Sequence, residues 1–167
     1  VYYNATDELK SLIDAKIDLN IQCNNGKTAL IYAVFMDHIA AASTLIAAKA
    51  DLNIQDGDGN TALMYATCRY YTSAALELLI DAGADLDIQD KEGCTALMLA
   101  INRPKEEGDK FFHLLMTTES DINITNIYGA TALMIAVSIG KLAAIKSLIE
   151  AGADVNSQDN DGETSLM

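Results

Sequence analysis

Asp85-Leu86-Asp87-Ile88-Gln89-Asp90-Lys91-Glu92-Gly93-Cys94-Thr95-Ala96-Leu97-Met98 is the stretch on which the fold turns, because its skeleton recurs along the chain. Its closing string returns as Thr28-Ala29-Leu30-Ile31, Thr61-Ala62-Leu63-Met64, Thr131-Ala132-Leu133-Met134 and Thr164-Ser165-Leu166-Met167. A glycine stands two residues before each threonine, at Gly26, Gly59, Gly93, Gly129 and Gly162, with spacings of 33, 34, 36 and 33. Self-similarity at such a period is the mark of a repeat architecture, and it outranks any single motif.

A second series keeps step with the first: Asp18-Leu19-Asn20, Asp51-Leu52-Asn53, Asp85-Leu86-Asp87, Asp121-Ile122-Asn123 and Asp154-Val155-Asn156. From each aspartate to the next threonine the distance is always 10, whereas from threonine to the following aspartate it is 23, 24, 26 and 23. Length variation is thus confined to one part of the unit. The constant part reads as an extended arm and tight turn, whose fixed length makes sense if successive arms lie in register.

In the variable part the threonine opens an apolar run at helical spacing, as in Leu63, Ala66, Thr67 and in Leu133, Ala136, Val137. A second helix follows, carried by Leu9, Leu12, Ile13; Ala42, Leu45, Ile46; Leu76, Leu79, Ile80; Phe112, Leu115, Met116; and Ile145, Leu148, Ile149. Neither helix exceeds about ten residues, a marginal length in isolation, so each must pack on its neighbours. Threonine fits the N-cap, its hydroxyl accepting from a backbone N–H of the first turn. Gly83 and Gly152 fit the left-handed position that ends the second helix.

These units resemble the ankyrin repeat: Gly-x-Thr-Ala-Leu-Met, two helices, then Gly-Ala-Asp and Leu-Asn-Ile-Gln at a period near 33. The resemblance covers essentially the whole chain. It implies an all-α solenoid of stacked helix-turn-helix units with short β-hairpin arms. The full repeats are 23–55, 56–89, 90–125 and 126–158, with a partial repeat at 1–22 and the start of another at 159–167. The breaks within units at both ends, and the opening valine, lead us to expect a piece of a longer array or of a multidomain protein.

The family's Thr-Pro-Leu-His becomes Thr-Ala-Leu-Met or Thr-Ala-Leu-Ile here, which removes the bond between imidazole and threonine hydroxyl. Ile31, Met64, Met98 and Met134 would substitute apolar burial, worth about 1.5–3 kcal/mol each when fully buried. In repeat 90–125 the three extra residues are expected to form a loop within Asn102–Asp109, where Pro104 ends the first helix and Gly108-Asp109 offers a turn and a new N-cap. Thr117-Thr118-Glu119-Ser120 replaces the usual Gly-Ala stop and predicts a looser helix end.

Composition narrows the function. Half the residues are hydrophobic, and 24 acidic residues against 11 basic give a net charge of −13. That sign repels phosphate backbones and argues against nucleic acid, while favouring protein partners that carry a basic patch. Cys23, Cys68 and Cys94 are odd in number and widely spaced, which points to a reducing compartment. The cytoplasm is the expected setting, or a host's cytoplasm for a microbial or viral source. No apolar run approaches the roughly 20 residues that cross a bilayer.

Catalysis finds no constellation. His38 and His113 lie in different repeats, without a cysteine or serine at motif spacing. Asp56-Gly57-Asp58-Gly59-Asn60 begins like a calcium loop, yet the sixth and twelfth places, which want glycine and glutamate, hold Thr61 and Thr67. The periodic aspartates read as residues that satisfy turn backbone. We expect no enzyme activity, no cofactor and no metal.

What remains are positions that change from copy to copy at constant register. By the resemblance, partners lie along the concave face, made of turn tips and the outer side of the first helix. The tip positions are Asn24, Asn25, Lys27; Gly57, Asp58, Asn60; Lys91, Glu92, Cys94; Ile127, Tyr128, Ala130; and Asn160, Asp161, Glu163. The helix positions are Phe35, Met36; Cys68, Arg69; Asn102, Arg103; and Ser138, Ile139. Phe35, Met36, Asp58, Asn60, Arg69, Lys91, Glu92, Asn102, Arg103 and Tyr128 are the strongest candidates, with Tyr70-Tyr71 a secondary patch. The reading is a monomeric protein-interaction module. Its alternative is the targeting or regulatory arm of an enzyme whose catalytic domain lies outside this chain. The resemblance also marks Asn20, Asn53, Asn123 and Asn156 as positions where the family accepts hydroxylation.

Overall fold

A computed structural model describes residues 5–68, 73–103 and 105–166. The chain forms two compact units, Val1–Asp85 and Leu86–Met167. The first holds α1 (Ala5–Asp14), α2 (Ala29–Phe35), α3 (Ile39–Ala47), α4 (Ala62–Cys68) and α5 (Ala74–Asp81). In it α2 packs on α3 and on α4, α4 on α5, and α3 on both α1 and α5. The second holds α6 (Ala96–Ile101), α7 (Lys105–Met116), α8 (Ala132–Ser138) and α9 (Leu142–Glu150). Here α6 packs on α7 and α8, while α9 packs on α8 and α7. In both units, first helices meet first helices and second helices meet second helices, the layering that a stacked hairpin requires.

The helices start where the threonines stand. Thr28, Thr95 and Thr131 are extended at ψ 171°, 166° and 167°, and their hydroxyls accept from the N–H of Ile31, Met98 and Met134. Thr61 accepts from Met64 in the same way at 3.3 Å. The residues that replace the family's histidine go two ways. Ile31, Met64 and Met98 are 1%, 1% and 2% exposed, so apolar burial stands in for the lost bond. Met134 is only half-buried, and its Sδ accepts from the Thr131 backbone N–H at 3.4 Å. That contact closes a capping box in which sulfur does what a Glu or Gln does elsewhere. Thr131→Ala is expected to lower stability by about 1–2 kcal/mol. Urea denaturation measures it, and an unchanged midpoint would show the cap to be idle.

The second helices bury part of the predicted stripe: Ala42 and Leu45, Leu76 and Leu79, Phe112 and Leu115, and Leu148 are interior. Leu12 and Ile149, expected in the same stripe, are exposed, and Ile46, Ile80, Met116 and Ile145 are half-buried. Gly83 and Gly152 end their helices at φ 84° and 91°, as expected. Lys16 and Lys49 adopt the same left-handed turn at the same register with φ 57° and 67°, so glycine is favoured there without being obligatory.

Two expectations need correction. The extra residues of repeat 90–125 make no loop at Gly108-Asp109, because α7 runs unbroken from Lys105 to Met116. Packing of Phe111, Phe112 and Leu115, all buried, outweighs the roughly 1 kcal/mol that glycine costs inside a helix. The end of α7 is closed by side chains, since the hydroxyls of Thr117 and Thr118 donate to the carbonyls of Leu114 and Leu115 at 2.7 Å each. Pro104, expected to end the first helix, lies outside the described residues.

The arms, second, do not pair as strands. Among the described residues the one β-contact is an isolated bridge between Thr125 and Thr131. Each arm ends instead in the same two-bond turn, such as Asp90 N–H to Cys94 carbonyl (3.0 Å) and Gly93 N–H to Asp90 carbonyl (2.9 Å), repeated at Cys23, Asp56, Asn126 and Asp159. Side chains do much of the joining between neighbours, through amides in most cases and through the Asp87 carboxylate, which accepts from Asp121 N–H at 3.0 Å. Asn20 Oδ1 accepts from Asp51 N–H, Asn53 from Asp85, and Asn123 from Asp154, all at 2.9 Å. Gln22 and Gln89 each donate to the next arm, at Gln55 and Thr125. Adding or deleting one arm residue would misalign every one of these bonds, which is why arm length is constant while helix length is not.

Candidate partner-binding surface

The tip of each arm is held from within, which leaves its outer residues available. Asp56, Asp90, Asn126 and Asp159 occupy one register position, and each accepts through Oδ1 from the N–H groups two and four residues on. The aspartates Asp18, Asp51, Asp121 and Asp154 each accept from the N–H two residues on at 2.9 Å, the backbone role expected for them. Tips are also tied to one another: Gly57 N–H donates to Asn25 in the first unit, Ile127 to Glu92 and Asn160 to Tyr128 in the second.

On this frame Met36 (49%), Asp58, Lys91, Glu92, Asn102 and Tyr128 (62%) are exposed, and Phe35 and Asn60 are half-buried. Arg69, Tyr70 and Tyr71 lie outside the described residues. Arg103 is corrected: it is 7% exposed, with its guanidinium carbon 4.3 Å from the Phe111 ring centroid. Register places a backbone position, but an arginine stem is long enough to fold back over an aromatic face and trade water for cation–π contact. Ile127 (52%) and Ile139, named only within the wider set, are exposed beside the stronger candidates.

The first unit contains a cluster that no motif announced. Lys27, on the first tip, donates to Asp56 Oδ2 on the next tip at 2.5 Å and to the hydroxyl of Tyr65 on α4. The Tyr65 hydroxyl itself donates to Asp56 Oδ2 at 2.6 Å. The ammonium lies 4.0 Å from the Tyr65 ring centroid and 5.5 Å from that of Phe35, and the two rings meet edge to face at 5.4 Å. Burial alone would raise the pKa of Asp56. Lys27, Tyr65 and the N–H groups of Asp58 and Asn60 outweigh it and bring the carboxyl from 3.8 down to about 2. Burial likewise works against the Lys27 ammonium, yet its bonds to Asp56 and Tyr65 raise it above 10.5. Burial and the bond to Asp56 also raise Tyr65. Both Asp56 oxygens are thus engaged by donors, so the segment that opened like a calcium loop commits its carboxylate to the neighbouring tip. The signal in the sequence was faint: a lysine, an aspartate and a tyrosine 29 and 38 residues along from it, linked only once two repeats are stacked.

Among the described residues no helix is long and apolar enough to cross a membrane. The arrangement is that of an all-α repeat protein with variable tips. Models of ankyrin repeats match residues 42–107 and 103–167, described as three copies, and residues 1–46, described as many copies. The chain belongs to the ankyrin-repeat family. The crystal structure of EF0377, an ankyrin repeat protein, is similar at TM-score 0.82 and 28% identity, over 96% of this chain and 83% of that one. No curated protein matches.

Proposed function

We propose that this chain binds another protein through its turn tips and the outer side of its first helices, the concave face in the family's terms. Ankyrin repeats in general mediate protein–protein interaction, and the chain's membership supports that coarse function. The finer reading is carried by one contrast within the molecule. At the tips of Asp56, Asp90, Asn126 and Asp159 the skeleton residue stays Asp or Asn and is bonded inward, while the two residues that follow it change identity and face solvent. Large apolar side chains left in water on this face, Met36 at the end of α2 in one unit and Ile127 with Tyr128 on a tip in the other, are the residues an interface would cover. The net charge of −13 favours a partner with a basic patch.

The test begins with partners captured on the immobilised chain. Met36→Glu with Asp58→Lys, and Lys91→Glu with Tyr128→Ala, are compared with Asp81→Lys and Glu150→Lys at the ends of second helices, circular dichroism establishing that each variant folds. A partner lost from the tip variants by about tenfold or more, as expected when central interface residues are truncated, and kept by the second-helix variants supports the proposal. Loss in the second-helix variants with retention in the tip variants would overturn it.

A further inference from the structure

Within the unit Leu86–Met167, we infer that the row of tips is built to receive an arginine-bearing segment of the partner, stacked on Tyr128. The inference rests on the binding face proposed above and names the chemistry it would accept. Glu92, Tyr128 and Asp161 each precede the glycine of their tip, so they hold one register position on three consecutive tips. Those tips are joined in series by the bonds from Ile127 N–H to the Glu92 carbonyl and from Asn160 N–H to the Tyr128 carbonyl, each 3.0 Å. An aromatic ring therefore sits between two carboxylates on a frame that fixes their order. All three side chains are exposed.

The ring and its carboxylate are poorly satisfied by each other. The Tyr128 hydroxyl donates to Glu92 Oε2 at 3.4 Å, well beyond the roughly 2.5–3.0 Å usual for an O–H···O bond, so Glu92 gives up little on taking a better donor. A guanidinium fits both needs. Its plane stacks on an aromatic face, its fork of N–H groups matches a carboxylate, and its methylene stem can lie on an apolar neighbour, here Ile127. An ammonium offers a point charge without the stacking plane. Lys91 is the only cation in the sequences of these three tips, and Asp159, Asp161 and Glu163 on the last tip leave the local balance negative. The mechanism is thus recognition by shape and charge together. Bulk acidity alone would not single out one tip.

The probe is a fluorescein-labelled peptide of alternating Gly-Ser and Arg, with Lys and Glu versions beside it, followed by fluorescence polarisation. The arginine peptide is expected to bind more tightly than the lysine peptide, and the glutamate peptide not to bind. Tyr128→Ala should weaken the arginine peptide by about two- to fivefold, the range for one exposed cation–π contact. Tyr128→Phe, which keeps the ring and releases Glu92 from the hydroxyl, should bind as well as the parent. Glu92→Gln and Asp161→Asn should each weaken binding, whereas Asp14→Asn with Asp81→Asn, which remove the same charge from the other unit, should not. Arginine and lysine peptides binding alike, with every lost carboxylate counting equally, would reduce the effect to diffuse attraction and overturn the inference. If tip variants abolish partner capture while the arginine peptide ignores Tyr128, the binding face survives and the arginine preference falls.

Discussion

Lys27→Met is expected to cost this protein about 3 kcal/mol, more than removing any exposed charge, because it strands Asp56. The Asp56 side chain is 1% exposed, and Lys27 is its ionic partner. With the ammonium gone, burial of the carboxylate is opposed only by the Tyr65 hydroxyl and two backbone N–H groups. The cost therefore belongs mainly to the unpaired charge, and a second substitution should recover part of it. Asn126 shows which one. It occupies the Asp56 register in a later repeat and accepts from Tyr128 and Ala130 N–H just as Asp56 accepts from Asp58 and Asn60. Asp56→Asn in the Lys27→Met background keeps the turn and deletes the charge, so the double variant should be more stable than Lys27→Met alone. Chemical denaturation of the four proteins closes the cycle. Additive losses would mean that the two groups are not coupled.

The same pair gives a pH dependence of definite sign. The carboxyl titrates at about 2 when folded against 3.8 ordinarily, so its stabilisation is complete above the ordinary value and is lost as pH falls through the interval between them. A shift of that size amounts to about 2 kcal/mol. Parent protein should lose more stability between about pH 4 and pH 2 than the Lys27→Met/Asp56→Asn variant. Parallel loss in both would remove Asp56 as the cause.

What could be read from the sequence divides along a physical line. The period was legible because every repeat must solve the same problem with short helices that cannot stand alone. Thr28, Thr61, Thr95 and Thr131 therefore recur as caps, and Leu76, Leu79, Leu115 and Leu148 recur as core. The start of α7 was misread because Gly108-Asp109 carries a strong local turn signal, while the burial of Phe111 and Phe112 that overrides it is tertiary. Hairpin strands were expected in the arms from the resemblance, and pairing in register from their constant length. The pairing is real, but Asn and Gln side chains make most of it. Arg103 failed for a different reason: the repeat fixes a backbone position and leaves a long side chain free to turn inward. The Lys27–Asp56–Tyr65 cluster joins three residues whose proximity exists only after two repeats have stacked. Exposed tip residues such as Glu92 and Tyr128 could be placed by register alone, since nothing packs over them.

Gly26→Ala should be as damaging as the loss of Lys27, and the reason is again a contact between neighbouring tips. Gly26 has φ +78°, and a Cβ built there would lie 2.4 Å from Gly57 N and 2.8 Å from the Asp56 carbonyl carbon. Both are backbone atoms, so no rotamer change relieves the overlap. The tips must move apart, and the Gly57 N–H bond to the Asn25 carbonyl at 2.9 Å is the first to go, with Lys27 and Asp56 carried along on either side. Gly83 is the control. Its φ is +84°, and a Cβ there meets nothing within 4 Å. Gly83→Ala should cost only the left-handed conformation itself, about 1–2 kcal/mol. Lys49, which holds the same helix-ending position at φ 67°, shows that the fold tolerates a side chain there. Gly26→Ala adds the backbone collision to that cost and should exceed Gly83→Ala clearly, reaching about 3 kcal/mol. Equal midpoints for the two variants in urea would mean that the tips can separate freely, and that their contact does not help hold successive repeats together.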